Sequence, residues 1–273
     1  LMAQTAFLQP DIDKGIAQLE AIKQTLASKD EIEVALILSY LKKRDYNEAL
    51  LRAKALQQRL PEQGVGQVLA GVAYFLNQQL ELAEESFQAA LVIEPSNASA
   101  LSNLAAIALQ RVDYKQAQQY YLDLIALDKT NESALLQLNL LAQRDGETEQ
   151  GLAYLQQALQ YHPDSMAVNL LLVEYYFFHN QPQAALALAN NMLEKHPQPT
   201  PEQAKMLFYS GVVLQHFQQW DAAKSRLESF VNRYPAGYLG HFHLATVYAM
   251  TNDLAAARRE LDKAIKANGI YAP

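Results

Sequence analysis

A period of 34 residues runs through nearly the whole chain, and it restricts the fold more than any other feature of the sequence. Stepping by 34 from Ala49 reaches Ala83, Ala117, Gly151 and Ala185; a single step of 38 then reaches Ala223, and 34 more reaches Ala257. The same steps join Pro61, Pro95, Lys129, Pro163, Pro197, Pro235 and Gly269. Two further columns, from Tyr40 to Tyr248 and from Ile37 to Ala245, keep the same phase. A sequence that repeats in this way must fold as a row of similar units, each leaning on its neighbours.

Within each period, apolar residues recur at helical spacing in two blocks, as in VGQVLAGVAYFLNQ followed by ELAEESFQAALVIEP. Each period therefore reads as a hairpin of two antiparallel helices. Small residues such as Gly71 and Ala83 let the helices approach, and Tyr74 and Phe87 fill the space between neighbouring pairs. The closing Pro stops the second helix, and Ser96-Asn97, Thr130-Asn131 and Asp164-Ser165 then supply N-cap side chains for the next hairpin. Asn97 and Asn131 also match the N-glycosylation pattern, but both stand at the capping position of the repeat, which explains them without a sugar. Half of the residues are apolar and only 10 Gly and 10 Pro interrupt the chain, as expected of an all-α protein.

The small residue of the first helix, the Ala, the Phe and the closing Pro of GVAYFLNQQLELAEESFQAALVIEP resemble the tetratricopeptide repeat (TPR) family. The resemblance implies an all-α, right-handed α-solenoid of seven TPR hairpins. Repeats are expected to start near residues 30, 64, 98, 132, 166, 204 and 238, forming one continuous solenoid over 30–273. Residues 1–29 form an N-terminal extension whose segment DKGIAQLEAIKQTL sets Gly15, Leu19 and Ile22 where Ala49, Ala53 and Leu56 stand one period later, so a half-repeat helix is expected there. The four-residue insertion at 198–201 offers Thr200, Pro201 and Gln203 as a capping box that lengthens the first helix of repeat six. Repeat four, with Asn139, Ala142 and Gly151 at signature positions, and repeat three, which lacks its Pro, are expected to be less regular.

Several classes of chemistry find no support in the residues. A formal charge of -7, with 22 basic and 29 acidic residues, argues against nucleic-acid binding, since phosphate contact needs clustered Lys and Arg. The absence of Cys removes disulfides, thiolate metal sites and thiol nucleophiles. His241 and His243 lie two apart on a helix and point to different sides, while His162 and His196 each precede a repeat-closing Pro, so no metal site is expected. Gly64-Val65-Gly66 lacks the remaining elements of a phosphate loop, and the carboxylate pairs Asp11/Asp13 and Glu84/Glu85 fall on helix starts or exposed faces. No enzyme activity and no cofactor are expected, and no run is long and apolar enough to span a bilayer.

Function is then expected on the surface left free when hairpins stack. In a TPR array the first helices line the concave side, which the resemblance assigns here to Val34 and Leu38, to Val68, Val72 and Phe75, and to Leu136 and Leu140. It continues through Leu170, Glu174, Phe177 and Phe178, then Phe208 and Val212, then Phe242. The run YYFF at 175–178 divides accordingly: Tyr176 belongs to the core column, Tyr175 to the convex side or a hairpin edge, and the two Phe to the groove. Clamps that grip acidic chaperone tails present Lys, Asn and Arg on this face, whereas this chain presents Leu, Val and Phe. An amphipathic helix or extended apolar segment of a protein partner is the expected occupant.

The expected function is a non-enzymatic protein-interaction scaffold, with a regulatory or targeting region of a larger enzyme, or a self-assembling scaffold, as alternatives. Stretches such as YLKKRDYNEALLRAKAL resemble the periplasmic TPR lipoproteins of exopolysaccharide and PEP-CTERM export systems, which implies the bacterial envelope rather than the cytoplasm. The opening LMAQTA, with Met2 in second place, agrees with removal of a leader or anchor. Apolar faces at the two ends of the array suggest a longer array or association between copies.

Overall fold

The computed structural model describes residues 2–23, 29–198 and 200–268, with side chains of the first helix from Ile12 onward. Pro199 of the insertion, Gly269 of the repeat column and the terminal Pro273 lie outside the described residues. Among the described residues there are fifteen α-helices and no strand. A long helix α1 (Met2–Lys23) is followed by seven hairpins: α2 (Lys29–Lys43) with α3 (Tyr46–Arg59), α4 (Val65–Leu76) with α5 (Leu80–Ile93), and α6 (Ala98–Gln110) with α7 (Tyr114–Leu127). Next come α8 (Glu132–Arg144) with α9 (Thr148–Tyr161) and α10 (Met166–Phe178) with α11 (Pro182–Lys195). The last two pairs are α12 (Pro201–His216) with α13 (Trp220–Arg233), and α14 (Tyr238–Met250) with α15 (Leu254–Asn268). The chain divides into two compact units, residues 1–134 and 135–273, the division falling in the first turn of α8.

One device closes all seven hairpins. Arg44, Gln78, Val112, Gly146, Asn180, Gln218 and Asn252, which fall in a single column of the repeat, all have φ between 55° and 79°. The residue after each donates its N–H to the carbonyl five positions back, as Asp45 does to Tyr40 at 2.9 Å and Asp113 to Ala108 at 2.8 Å. That left-handed step and six-residue bond end the first helix and turn the chain into the second. Asp45 and Asp113 then cap the second helix through Glu48 N and Gln116 N.

Close helix packing follows from the small residues. A Cβ on Gly71 would lie 2.6 Å from the ring of Phe87, which is wholly buried, and one on Gly211 would lie 2.8 Å from Leu227. In the first unit, Phe87 joins Ala83, Ala90, Ala100 and Leu104 in one core cluster, and Leu36, Ile37, Ala49 and Leu56 anchor the hairpin before it. Helix α1 packs on α2 through Ile16, against Ile32 and Leu36. Leu19 joins that cluster as expected, but Ile22 is 43% exposed, so the buried stripe of α1 is turned from the one the repeat alignment suggests.

The expected irregularity does not shorten repeats three and four, whose helices have the same 13- and 14-residue lengths as those of repeat five. In repeat three, where Lys129 stands in place of the Pro, the Asp128 side chain accepts from Thr130 N at 2.9 Å and Asn131 caps Ala134 N at 3.0 Å. In repeat four the unusual residues fit one another: Asn139 is buried and its amide donates to the Gly151 carbonyl at 2.9 Å, where a Cβ on Gly151 would stand 3.1 Å from that nitrogen. The insertion extends α12 to 16 residues, with Thr200 capping Gln203 N at 3.1 Å and Pro201 in the first turn. The Gln203 side chain does not close the expected capping box. It donates instead to the His196 carbonyl at 2.8 Å and accepts from Arg233.

Candidate interaction face

Three successive first helices of the second unit carry adjacent pairs of ring-bearing residues: Phe177 and Phe178 end α10, Phe208 and Tyr209 sit in α12, and Phe242 and His243 sit in α14. Ring centroids link them step by step. Phe177 lies 5.3 Å from Phe178 and 5.1 Å from Tyr209; Tyr209 lies 5.5 Å from Phe208. Phe208 then meets His243 at 5.7 Å, and His243 meets Phe242 at 5.6 Å. These separations suit edge-to-face attraction between aromatic quadrupoles.

Burial grades along this ladder. Phe177 is half-buried against the cluster of Val173, Met206 and Leu207, and Phe208 is half-buried against that of Leu227 and Val231. Phe178 and Phe242 stand out, 71% and 50% exposed. Between α10 and α12, Phe177, Pro182, Val212 and His216 line an open cleft of about 170 Å³.

Polar groups in the ladder are few and specific. The Tyr209 hydroxyl donates to Glu174 at 3.1 Å; burial and the Glu174 charge push that hydroxyl well above the ordinary phenol range, so it stays a donor. His243 Nδ1 lies 2.9 Å from the Gln215 side-chain oxygen, and burial lowers the imidazole below its usual value, favouring the neutral ring. Tyr175 stacks on His179 at 4.0 Å, and the His179 ring in turn bonds the Tyr175 carbonyl at 2.7 Å, which places both at the end of α10.

The sequence-assigned face needs correction at two positions. Val68 and Leu170 are buried, 8% and 5% exposed: Val68 shares a core cluster with Phe87 of its own hairpin and with Ala100 and Leu104 of the next, and Leu170 with Met192 and with Met206 and Leu207. In the first unit, Val34, Val72 and Phe75 are half-buried against core clusters, and Leu38 alone of the assigned residues there is open, at 52%. In the second unit, Leu136 and Val212 are half-buried and Leu140 is 46% exposed. Tyr209 and His243 were not assigned, although the recurrence of neighbouring rings at 177–178, 208–209 and 242–243 marks them.

A second apolar area lies on the last hairpin, where Tyr238, Leu239, Phe242, Leu261, Ala264 and Ile265 border a cleft of about 410 Å³. Leu261 and Ile265 are 41% and 45% exposed, whereas Leu227 and Val231, one repeat earlier, are covered by α14. Elsewhere the polar pairs are structural. His241 is buried, with Nδ1 2.6 Å from Glu260 and Nε2 2.9 Å from the Pro235 carbonyl, and His162 and His196 cap the ends of α9 and α11.

Comparison with known proteins agrees with this architecture. Tetratricopeptide repeat family models match residues 34–98, 142–207 and 211–273. No curated protein sequence matches at a significant level. Among solved structures, the chain is similar to pilF of Pseudomonas aeruginosa, with TM-score 0.63 and 19% identity over 77% of this chain and 94% of that one. It is also similar to a chain of the APC/C hetero-tetramer Cut9-Hcn1, with TM-score 0.60 and 18% identity over 98% of this chain. Only 52% of that Cut9-Hcn1 chain is covered, so the present chain spans about half its length. YrrB, described as a TPR protein with an unusual peptide-binding site, matches with TM-score 0.56 and 18% identity over 69% of this chain and 95% of that one. At these identities the likeness carries the fold alone, but with family models matching most of the repeats, the chain belongs to the tetratricopeptide repeat family.

Proposed function

We propose that this chain is a non-enzymatic interaction scaffold that takes an apolar segment of a partner protein, helical or extended, on the aromatic ladder of α10, α12 and α14. The observation that carries the reading is the exposure of Phe178 and Phe242 at the two ends of a continuous run of rings. Core packing does not need either ring, and covering the exposed part of each contributes about 1–2 kcal/mol, a gain that adds to the other apolar contacts a docked segment makes.

The test replaces the exposed rings, Phe178→Ser with Phe242→Ser, and measures capture of partner proteins alongside helical circular dichroism and melting. Capture is expected to fall while the fold is unchanged; undiminished capture by a folded double variant sinks the reading. Phe177→Asp and Phe208→Asp would be poor probes, since both rings pack on core clusters and their loss confuses binding with stability. A place in the bacterial envelope belongs to the same proposal, and recovery of the full-length protein in the cytosolic fraction would remove it. Self-association is a second reading, favoured by the open apolar cleft on α14 and α15. Sedimentation at several concentrations tests it, a constant monomer mass being the negative result.

A further inference from the structure

We propose that Phe177, Phe178, Tyr209 and Glu174 receive a basic side chain, Lys or Arg, carried by the apolar segment that docks on this face; the inference rests on the docking reading above. Three rings meet at this end of the ladder at steep angles: 89° between Phe177 and Phe178, 78° between Phe178 and Tyr209, and 56° between Phe177 and Tyr209. Rings so inclined do not stack on one another, and they turn π faces in different directions around one corner. A cation near such faces is attracted by the ring quadrupoles, most strongly where water is partly excluded. Phe178, 71% exposed, leaves the corner accessible.

Glu174 makes the corner selective for charge. It is the only Asp, Glu, Lys or Arg in α10, and α14 has none. On α12 the only formally charged side chains are Glu202 and Lys205. Among the described residues its carboxylate makes no ion pair, and its hydrogen-bond partner is the Tyr209 hydroxyl at 3.1 Å. A carboxylate offers about four acceptor directions, and one neutral donor occupies one of them. A lone half-buried carboxylate beside an apolar strip is poorly served by a purely apolar ligand, which would strip its water without replacing it. An ammonium or guanidinium group replaces that water with a charge-assisted bond while its methylene stem covers the rings. Phe178 is also the last residue of α10, so the corner stands at the helix end whose dipole favours positive charge.

The experiment selects a displayed library of random 14-residue peptides on the full chain, then remakes a selected peptide with norleucine in place of its basic residue. Selected peptides are expected to carry Lys or Arg among apolar residues and to lose binding to Phe178→Ser. The norleucine version should bind wild type about tenfold more weakly, and this penalty should vanish on Glu174→Gln, which keeps an acceptor for Tyr209 but no charge. Peptides that depend on Phe178 and Phe242 yet lack a basic residue, or whose norleucine penalty is the same on both proteins, overturn the cation site while leaving the docking face intact. If no selected peptide depends on Phe178 or Phe242, the docking reading falls and the cation site falls with it.

Discussion

Val112 turns its backbone to φ 63° although a β-branched side chain crowds the carbonyl there. The hairpin imposes this conformation, because Asp113 N must reach the Ala108 carbonyl, at 2.8 Å, for the first helix to end. Gly146 meets the same demand in repeat four without a Cβ. The Val112 side chain is 63% exposed, so removing it forfeits little packing. Val112→Gly is therefore expected to stabilise the protein, by about 0.5–1 kcal/mol after the greater backbone freedom of Gly in the unfolded chain is set against the relieved strain. Urea unfolding reads the change directly, and a loss of stability would show that the turn tolerates Val without strain. This column is hard to read in the sequence: Gly146, Asn180 and Asn252 are types that favour a left-handed turn, but Arg44, Gln78, Val112 and Gln218 are not, so no single residue type marks it. The six-residue bond fixes their shared conformation, and that bond is made by backbone atoms.

At the scale of the helix pair, Gly71 and Phe87 are one fitted unit. With a Cβ 2.6 Å from the ring and the ring wholly buried, neither partner has room to move. Gly71→Ala should therefore cost about 1–3 kcal/mol, although alanine is the better helix former. Phe87→Leu in the same chain should recover part of the loss relative to its effect in wild type, because the clashing ring atoms are gone. Denaturant midpoints of the two single variants and the double variant form the cycle that decides this, and simple additivity would mean the two do not meet. Pairings of this kind lie in the repeat columns, which is why helix number, hairpin order and most core positions could be read from the sequence. Lateral contact is harder to read. Val68 and Leu170 fit the face pattern and are nevertheless buried in clusters shared with the next hairpin, while Tyr209 and His243 join the ladder through rings on neighbouring helices. Which residues a helix leaves open depends on how the following helix crosses it, and a single column of sequence does not encode that crossing.

For the molecule as a whole, both compact units carry a buried carboxylate held in its charged form, and acid should act on each. In the first unit Glu33 is 4% exposed. Burial pushes its carboxyl up, but hydrogen bonds from Lys23 and from Arg52, at 3.0 Å, outweigh burial and hold it below the usual range. Arg52 is itself fixed by Glu48 at 2.8 Å and by Glu20, and sits 5.0 Å over the ring of Tyr40. In the second unit burial likewise pushes Glu260 up, while Lys263 at 2.7 Å and His241 at 2.6 Å bring it below its usual value. A carboxyl depressed in the folded state binds its proton more weakly there than in the unfolded chain. Its contribution to stability is therefore complete above the unfolded value of 4.5 and is lost as pH falls through the depressed folded value. Glu33→Gln should be less stable than wild type at pH 7, and the gap should close as the pH is taken below 4.5. Glu260→Gln should behave alike in the second unit. Urea midpoints between pH 7 and pH 3 measure both gaps, and a gap that keeps its size across that range would mean these carboxylates owe nothing to their charge, leaving shape alone to account for their burial.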